Sequence, residues 1–219
     1  SYKGKKCAPF KRIADLCCGM GGDSFFLPAE CTVIGVDFSP ERLTMYAHNM
    51  QLLHPNFSTQ LADVTTVDLA VDLVLLDPAR RSRSDRTKSW NPDDLQPSLS
   101  QITDIVARYP NAMIKMPPGT PADVFDFECT LEYLGEGDEC RELLVLTGSC
   151  RESSALAAVN VLTGDRISTP TIAEVPYPAI TSFRSYLYEP YKSVIRSHLI
   201  GTLAEELALT LIDEYITYL

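Results

Sequence analysis

The feature that most constrains this chain is an alternation, over residues 11–77, of short apolar runs with helical patterns. RIADLC, CTVIGVD, FSTQLAD and VDLVLLD read as four strands. A short helix is expected around residues 23–29. A longer one is expected in FSPERLTMYAHNMQLL, where Ser39 suits the cap and Pro40 the first turn. Within it Leu43, Ala47 and Met50 recur at helical spacing, with Leu53 one turn on. VDLVLLD is almost continuously apolar, as a parallel strand covered on both faces must be. Such alternation predicts right-handed βαβ units and an open, Rossmann-like α/β sheet with helices on both faces.

Downstream, a helix near Leu99–Arg108 and a strand in NAMIK continue the pattern, and PPGTP turns the chain abruptly. ECTLEYLG and CRELLVLTG are separated only by EGDE, which predicts a hairpin and an antiparallel end to a sheet of about seven strands. ALAAVNVLTGDRIST reads as another strand pair with a TGD turn. Residues 165–188 show no clear periodicity. EPYKSVIRSHLIGTLAEELAL reads as helix with a break at Gly201. The expected division is residues 1–150 for the sheet domain and 151–219 for a small, partly helical segment.

The chain has 219 residues, of which 45% are hydrophobic and 22% charged, ordinary values for a globular α/β core. No apolar run approaches the ~20 residues of a membrane span. The basic start SYKGKKCAPFKR is not followed by a hydrophobic stretch of signal-peptide type, so the expectation is a cytoplasmic protein without membrane contact, or a fragment of one. A net charge of −10 argues against a wholly basic nucleic-acid binder. Cations nevertheless crowd two places, Lys3 to Arg12 and a loop holding Arg80, Arg81, Arg83, Arg86 and Lys88, and either could meet phosphates or simply be solvated. The seven cysteines include no C-x-x-C and only three histidines accompany them, so no metal site is expected. A disulfide between neighbouring Cys17 and Cys18 would be strained, and reduced thiols are the better reading.

Each of the four strands ends at a carboxylate or a glycine loop: Asp15 with DLCCGMGGD, then Asp37, Asp63 and Asp77. Open α/β sheets bind ligands at that rim. The loop lacks the G-K-[ST] of a phosphate loop, and glycines at 19, 21 and 22 do not spell the dinucleotide G-x-G-x-x-G. Bare backbone beside a carboxylate suits a ligand with a positive centre and an amino-acid end. Asp37 lies where a carboxylate accepts hydrogen bonds from the hydroxyls of an adenosine ribose.

These segments resemble the class I S-adenosylmethionine-dependent methyltransferases. IADLCCGMGG is similar to their motif I, with Cys17 in place of the first glycine; VIGVDFS, LADV and VDLVLLDPAR are similar to motif II, the adenine-contacting motif and motif IV. The resemblance covers about 135 residues, all four motifs being in register along the expected sheet. DPARR, IKMPPG and the tail YLYEPYKSVIRSHLIGTLAEELAL further resemble a bacterial branch with a THUMP-like C-terminal domain, of which the chain would hold only the start. The resemblance implies S-adenosyl-L-methionine as cofactor, held by Asp15, Cys17, Gly19, Gly21, Gly22, Asp37, Phe38, Asp63 and Val64. Asp63 would face the adenine amine, with Val64 beside the ring. Asp77 and the Pro78 carbonyl would hold a target amine, and Arg80 stands where related amine methylases carry a stacking aromatic. Trp90 could supply that ring or merely pack. Lys115 could contact substrate or snorkel, and Asn49 could match the family's A-x-N or be solvated. IKMPPG carries no cysteine after the fifth strand, which disfavours covalent carbon methylation.

The expected function is methyl transfer to an RNA base amine, with Arg80, Arg81, Arg83, Arg86, Lys88 and Lys115 toward the RNA. A non-catalytic S-adenosylmethionine- or RNA-binding module is the alternative, and a nicotinamide-dependent oxidoreductase is disfavoured by the glycine spacing. Oligomeric state is not legible.

Overall fold

A computed structural model describes residues 1–80, 94–172, 176, 185–212 and 217–219, Arg80 by its backbone alone. The expected contacts of Arg81, Arg83, Arg86, Lys88 and Trp90 lie outside the described residues. Two compact units divide the chain. The first comprises Ser1–Lys115, Phe125–Glu128 and Leu146–Cys150; the second comprises Met116–Val124, Cys129–Val145 and Arg151–Leu219.

The first unit begins with helix α1 (Tyr2–Cys7), which the basic sequence had not announced. Ser1 caps it by accepting the Gly4 N–H at 3.1 Å. Five parallel strands follow: β1 (Arg12–Leu16), β2 (Thr32–Asp37), β3 (Phe57–Leu61), β4 (Leu73–Leu76) and, after the short antiparallel pair β5 (Ala79–Arg80) and β6 (Leu95–Gln96), β7 (Ala112–Met116). Their order is β7-β4-β1-β2-β3, all pairings parallel. The chain adds β2 and β3 on one side of β1 and β4 on the other, so the strand order reverses at β1 and β4, where α/β sheets open a crevice. All four residues of β4 are buried, as its apolar run requires.

Helix α2 (Pro40–Leu53) has Pro40 in its first turn, and its cap Ser39 accepts the Arg42 N–H at 3.2 Å. Its buried stripe is Leu43, Tyr46 and Met50, so Tyr46 takes the place expected of Ala47, and Leu53 is exposed. Gly35 of β2 makes room for that tyrosine: a Cβ there would lie 2.5 Å from the Tyr46 ring. Helix α3 (Leu99–Arg108) starts with a reciprocal capping box between Ser98 and Gln101. The helix expected at 23–29 is a single 3-10 turn, Ser24–Phe26, because Leu27 precedes Pro28 and is held extended at φ −71°, ψ 153°.

In the second unit β8 (Thr130–Glu136) and β9 (Glu139–Leu146) are joined by Gly137-Asp138, with Gly137 at φ 58°, the hairpin that EGDE predicts. β10 (Leu156–Asn160) pairs with β8 in parallel and with β11 (Arg166–Thr169) in antiparallel, giving the order β11-β10-β8-β9. This pair extends the strand count beyond the seven expected. The tail forms α4 (Lys192–Arg196) and α5 (Ile200–Leu207). The break falls at His198, which adopts φ 58°, and not at Gly201, which is buried inside α5. Histidine tolerates the left-handed region well enough to end a helix there. No helix among the described residues is long and apolar enough to cross a membrane.

Candidate functional site

Register builds the site. Leu16 of β1 pairs with Val36 of β2 and Leu76 of β4, so the next residue of each strand, Cys17, Asp37 and Asp77, stands level along the rim. The chain leaving β1 then takes three left-handed positions in five residues: Cys17 at φ 64°, Gly19 at φ 53° and Gly21 at φ 96°. Glycine enters that region freely, which explains two of the three. The loop is pinned by Cys18 N–H donating to the Val36 carbonyl at 3.0 Å and by Asn49 Nδ2 donating to the Met20 carbonyl at 3.0 Å. Asn49 is thus neither merely solvated nor idle. A Cβ on Gly21 would lie 2.7 Å from the Phe25 ring, whereas one on Gly19 or Gly22 would meet no heavy atom within 4 Å. The backbone at 19 and 22 is therefore open to close approach.

Asp37 is 1% exposed and ties the rim to the loop. One oxygen accepts the Gly19 N–H at 3.1 Å, the other accepts the Ser39 N–H at 3.0 Å, and Arg42 lies 3.8 Å away. Phe38 beside it is 61% exposed, with the Arg42 guanidinium 5.5 Å from its ring centre. Leu61, paired with Asp37 across β2 and β3, is equally open, so two apolar side chains face solvent next to this carboxylate. Asp63 is exposed. Its Oδ1 accepts the Thr65 N–H at 2.9 Å and the Thr65 hydroxyl at 2.7 Å, which hold its carboxyl below the usual range. Val64 is buried.

Asp15 turns inward. It is 2% exposed and accepts the Ser24 hydroxyl at 2.5 Å, and Ser24 is 2.9 Å from the Tyr46 hydroxyl. Burial pushes its carboxyl up to about 7, against the Ser24 bond and helped by the charges of Asp23 and Asp77. The Cys17 thiol is pushed up to about 12 by burial and by Asp37, Asp15 and Asp77. It stays protonated at neutral pH and is no nucleophile.

At the end of β4, Asp77 accepts a hydrogen bond from Lys115 Nζ at 2.8 Å, and the same ammonium is 4.0 Å from Asp23. Lys3 of α1 pairs with Asp23 in turn. Pro78 is buried, and the Arg80 backbone pairs with Leu95. The structure thus gathers Cys17, Gly19, Asp37, Phe38 and Asp77 on one rim, with Asp63 one strand further out, while Asp15 lies beneath it. Sequence reasoning missed Ser24, Tyr46 and Asp23 as parts of this assembly. The i, i+3, i+7 spacing of Leu43, Tyr46 and Met50 was the available signal for the tyrosine. The Lys115–Asp23–Asp77 cluster had none, since it joins residues 38 or more positions apart.

No protein-family model matches the chain. Two curated proteins from strains of Mycobacterium tuberculosis, both named uncharacterized S-adenosylmethionine-dependent methyltransferases, are each 24% identical over 212 residues. These matches cover 94% of this chain, which spans only 58% of each relative's length. A crystal structure described as a "putative methyltransferase from Porphyromonas gingivalis W83" superposes with a TM-score of 0.73 at 17% identity, over 99% of this chain and 59% of that one. The likeness shows a fold shared with that protein, the Rossmann-like α/β fold that the strand order displays.

Proposed function

We propose that this chain binds S-adenosyl-L-methionine at the rim of its first unit and transfers the methyl group to a base amine of RNA. One observation carries the reading: a glycine loop with open backbone at 19 and 22, the Asp37 carboxylate and the Asp77-Pro78 step share one level at the switch point of a parallel sheet. The curated relatives' names support the S-adenosylmethionine-dependent methyl transfer and name no substrate.

The residues fit the cofactor. Asp37 uses one acceptor site on each oxygen for backbone N–H groups, leaving about two of its four for ribose hydroxyls. Phe38 and Leu61 offer apolar surface to a purine, with Asp63 toward its amine and Val64 at its edge. Gly19 and Gly22 let the amino-acid end lie against backbone, and Gly21 serves it by making the tight turn packed on Phe25. Asp23 and Lys115 add one charge of each sign, as an α-amino acid needs. Asp15 acts through Ser24, holding the loop from below, and Cys17 contributes its turn.

When bound, S-adenosylmethionine supplies a methyl group on a sulfonium, and its displacement depends on alignment of the nucleophile. Asp77 Oδ1 and the Pro78 carbonyl would hold the amine for that line, while Lys115 occupies Oδ2 and so fixes the orientation of the carboxylate. RNA as substrate is supported by the resemblance of DPARR and the tail to the branch with a THUMP-like domain, with Arg80, Arg81, Arg83, Arg86, Lys88 and Lys115 as the cations toward it. Seven thiols, none in a disulfide, suit a reducing, cytoplasmic setting. The Lys115–Asp77 pair also favours one alternative, a non-catalytic binding module in which that ion pair never opens.

Calorimetry of S-adenosylhomocysteine against NAD tests the cofactor, with Asp37→Ala expected to weaken the former by about tenfold or more. No saturable binding, or no effect of the substitution, would overturn the assignment. Labelled methyl transfer to RNA, protein and small-molecule pools then tests the substrate, and donor binding without transfer to any pool is the signature of the alternative.

A further inference from the structure

We propose that a cavity of about 550 Å³ in the second unit binds a phosphoryl group. Lys192, Arg196 and His198 all line it, the first two one turn apart on α4 and so on the same helix face. Its walls include Tyr133 of β8 and Thr120 in the turn after β7. All of the lining residues belong to the second unit and none to the rim described above, so the inference holds whatever the first unit binds.

Three observations carry it. First, the Arg196 guanidinium is exposed and makes no hydrogen bond or ion pair among the described residues, so its planar set of donors is available to an oxyanion. Second, the one ion pair of Lys192 among the described residues is with Asp138 at 3.1 Å, an exposed pair that contributes little and opens easily. Third, Thr120, one of the lining residues, is 2% exposed and its hydroxyl has no hydrogen-bond partner among the described residues, while the neighbouring Tyr133 hydroxyl donates to the Thr120 carbonyl at 3.3 Å.

A solvated cation needs no cavity. Convergence of two cationic side chains and a histidine on one concavity, in a chain of net charge −10, concentrates positive potential locally on an acidic molecule. Several donors converging from two side chains suit the multiple oxygens of a phosphoryl group better than the two of a carboxylate. The volume exceeds what a bare ion fills and lies in the range of small-molecule sites. The shared chemistry is therefore a phosphoryl group with room for what it is attached to, either a free nucleotide or a nucleic-acid strand.

The full chain is titrated at low salt with a fluorescein-labelled single-stranded oligoribonucleotide, adenosine 5′-monophosphate and inorganic phosphate. Arg196→Glu is expected to weaken whichever probe binds by about tenfold or more, and Arg196→Lys by only about threefold. Arg141→Glu, a charge reversal on β9 at an arginine paired with Glu136 and Glu139, controls for net charge and should change affinity less than about twofold. Binding of the oligoribonucleotide alone identifies a backbone diester, and binding of the mononucleotide or phosphate identifies a free source. Failure of all three probes to bind, or equal losses in Arg196→Glu and Arg141→Glu, overturns the proposal. S-adenosylhomocysteine calorimetry on the same variants keeps this outcome separate from that of the methyl-transfer reading.

Discussion

Cys17 holds a left-handed backbone at φ 64°, which an L residue enters at a cost of about 1 kcal/mol. The loop geometry demands that conformation, because the chain must leave β1 and return so that Gly19 N–H reaches Asp37. Cys17→Gly should relieve the strain and raise stability by about 0.5–1 kcal/mol, partly offset by the greater freedom of glycine in the unfolded chain. Thermal unfolding of the variant beside the parent checks the sign. Asp15 gives a second residue-scale expectation. Its native carboxyl titrates near 7, above the ordinary unfolded value of about 4, so between those pH values the native state binds the extra proton. The contribution of Asp15 to stability is therefore fully present below about pH 4 and lost as pH rises toward 7. Urea unfolding from pH 5 to 8 should show a decline that Asp15→Asn flattens; an identical decline in the variant would remove Asp15 as its source.

At the scale of elements, β2 and α2 meet through the missing side chain of Gly35. Gly35→Ala would drive a Cβ to 2.5 Å from the Tyr46 ring, and the ring cannot yield without disturbing its hydroxyl contact to Ser24. A loss of about 2–3 kcal/mol is expected, read from denaturant unfolding. Elements of this kind were legible wherever one period dominated. VDLVLLD could only be a buried strand, and Ser39-Pro40 fixed the start of α2 to the residue. Legibility failed where the deciding contact was distant. The stripe of α2 runs through Tyr46, whose hydroxyl meets Ser24, and its i, i+3, i+7 spacing with Leu43 and Met50 competed locally with the equally helical i, i+4, i+7 spacing of Ala47. The helical tail breaks at His198 and not at Gly201, since a buried glycine within a helix and a left-handed histidine both defy the usual punctuation. Of the rim, the carboxylates and glycines at the strand ends follow from the strand pattern, but the inward turn of Asp15, set by Ser24 and Tyr46, and the Lys115 bridge between the ends of β7 and β4 do not, as both depend on other elements packing against the strand.

For the whole molecule, charge sets two responses of opposite sign. A net charge of −10 repels itself in the compact state, and added salt screens that repulsion within a Debye length of about 10 Å at 0.1 M. Raising salt should therefore stabilise the fold against heat. Oligonucleotide binding through Lys192 and Arg196 should weaken over the same series, because each neutralised phosphate releases condensed counterions. For two such contacts on a single strand, the logarithm of the association constant should fall against the logarithm of salt with a slope of about −1.4. Arg196→Ala should bring that slope to about −0.7 while leaving the salt response of the melting temperature unchanged. Parallel melting and titration series separate the terms: one belongs to the acidic surface as a whole, the other to two cations on one helix face. A slope indifferent to Arg196 would mean that any strand held by this chain is gripped elsewhere on it.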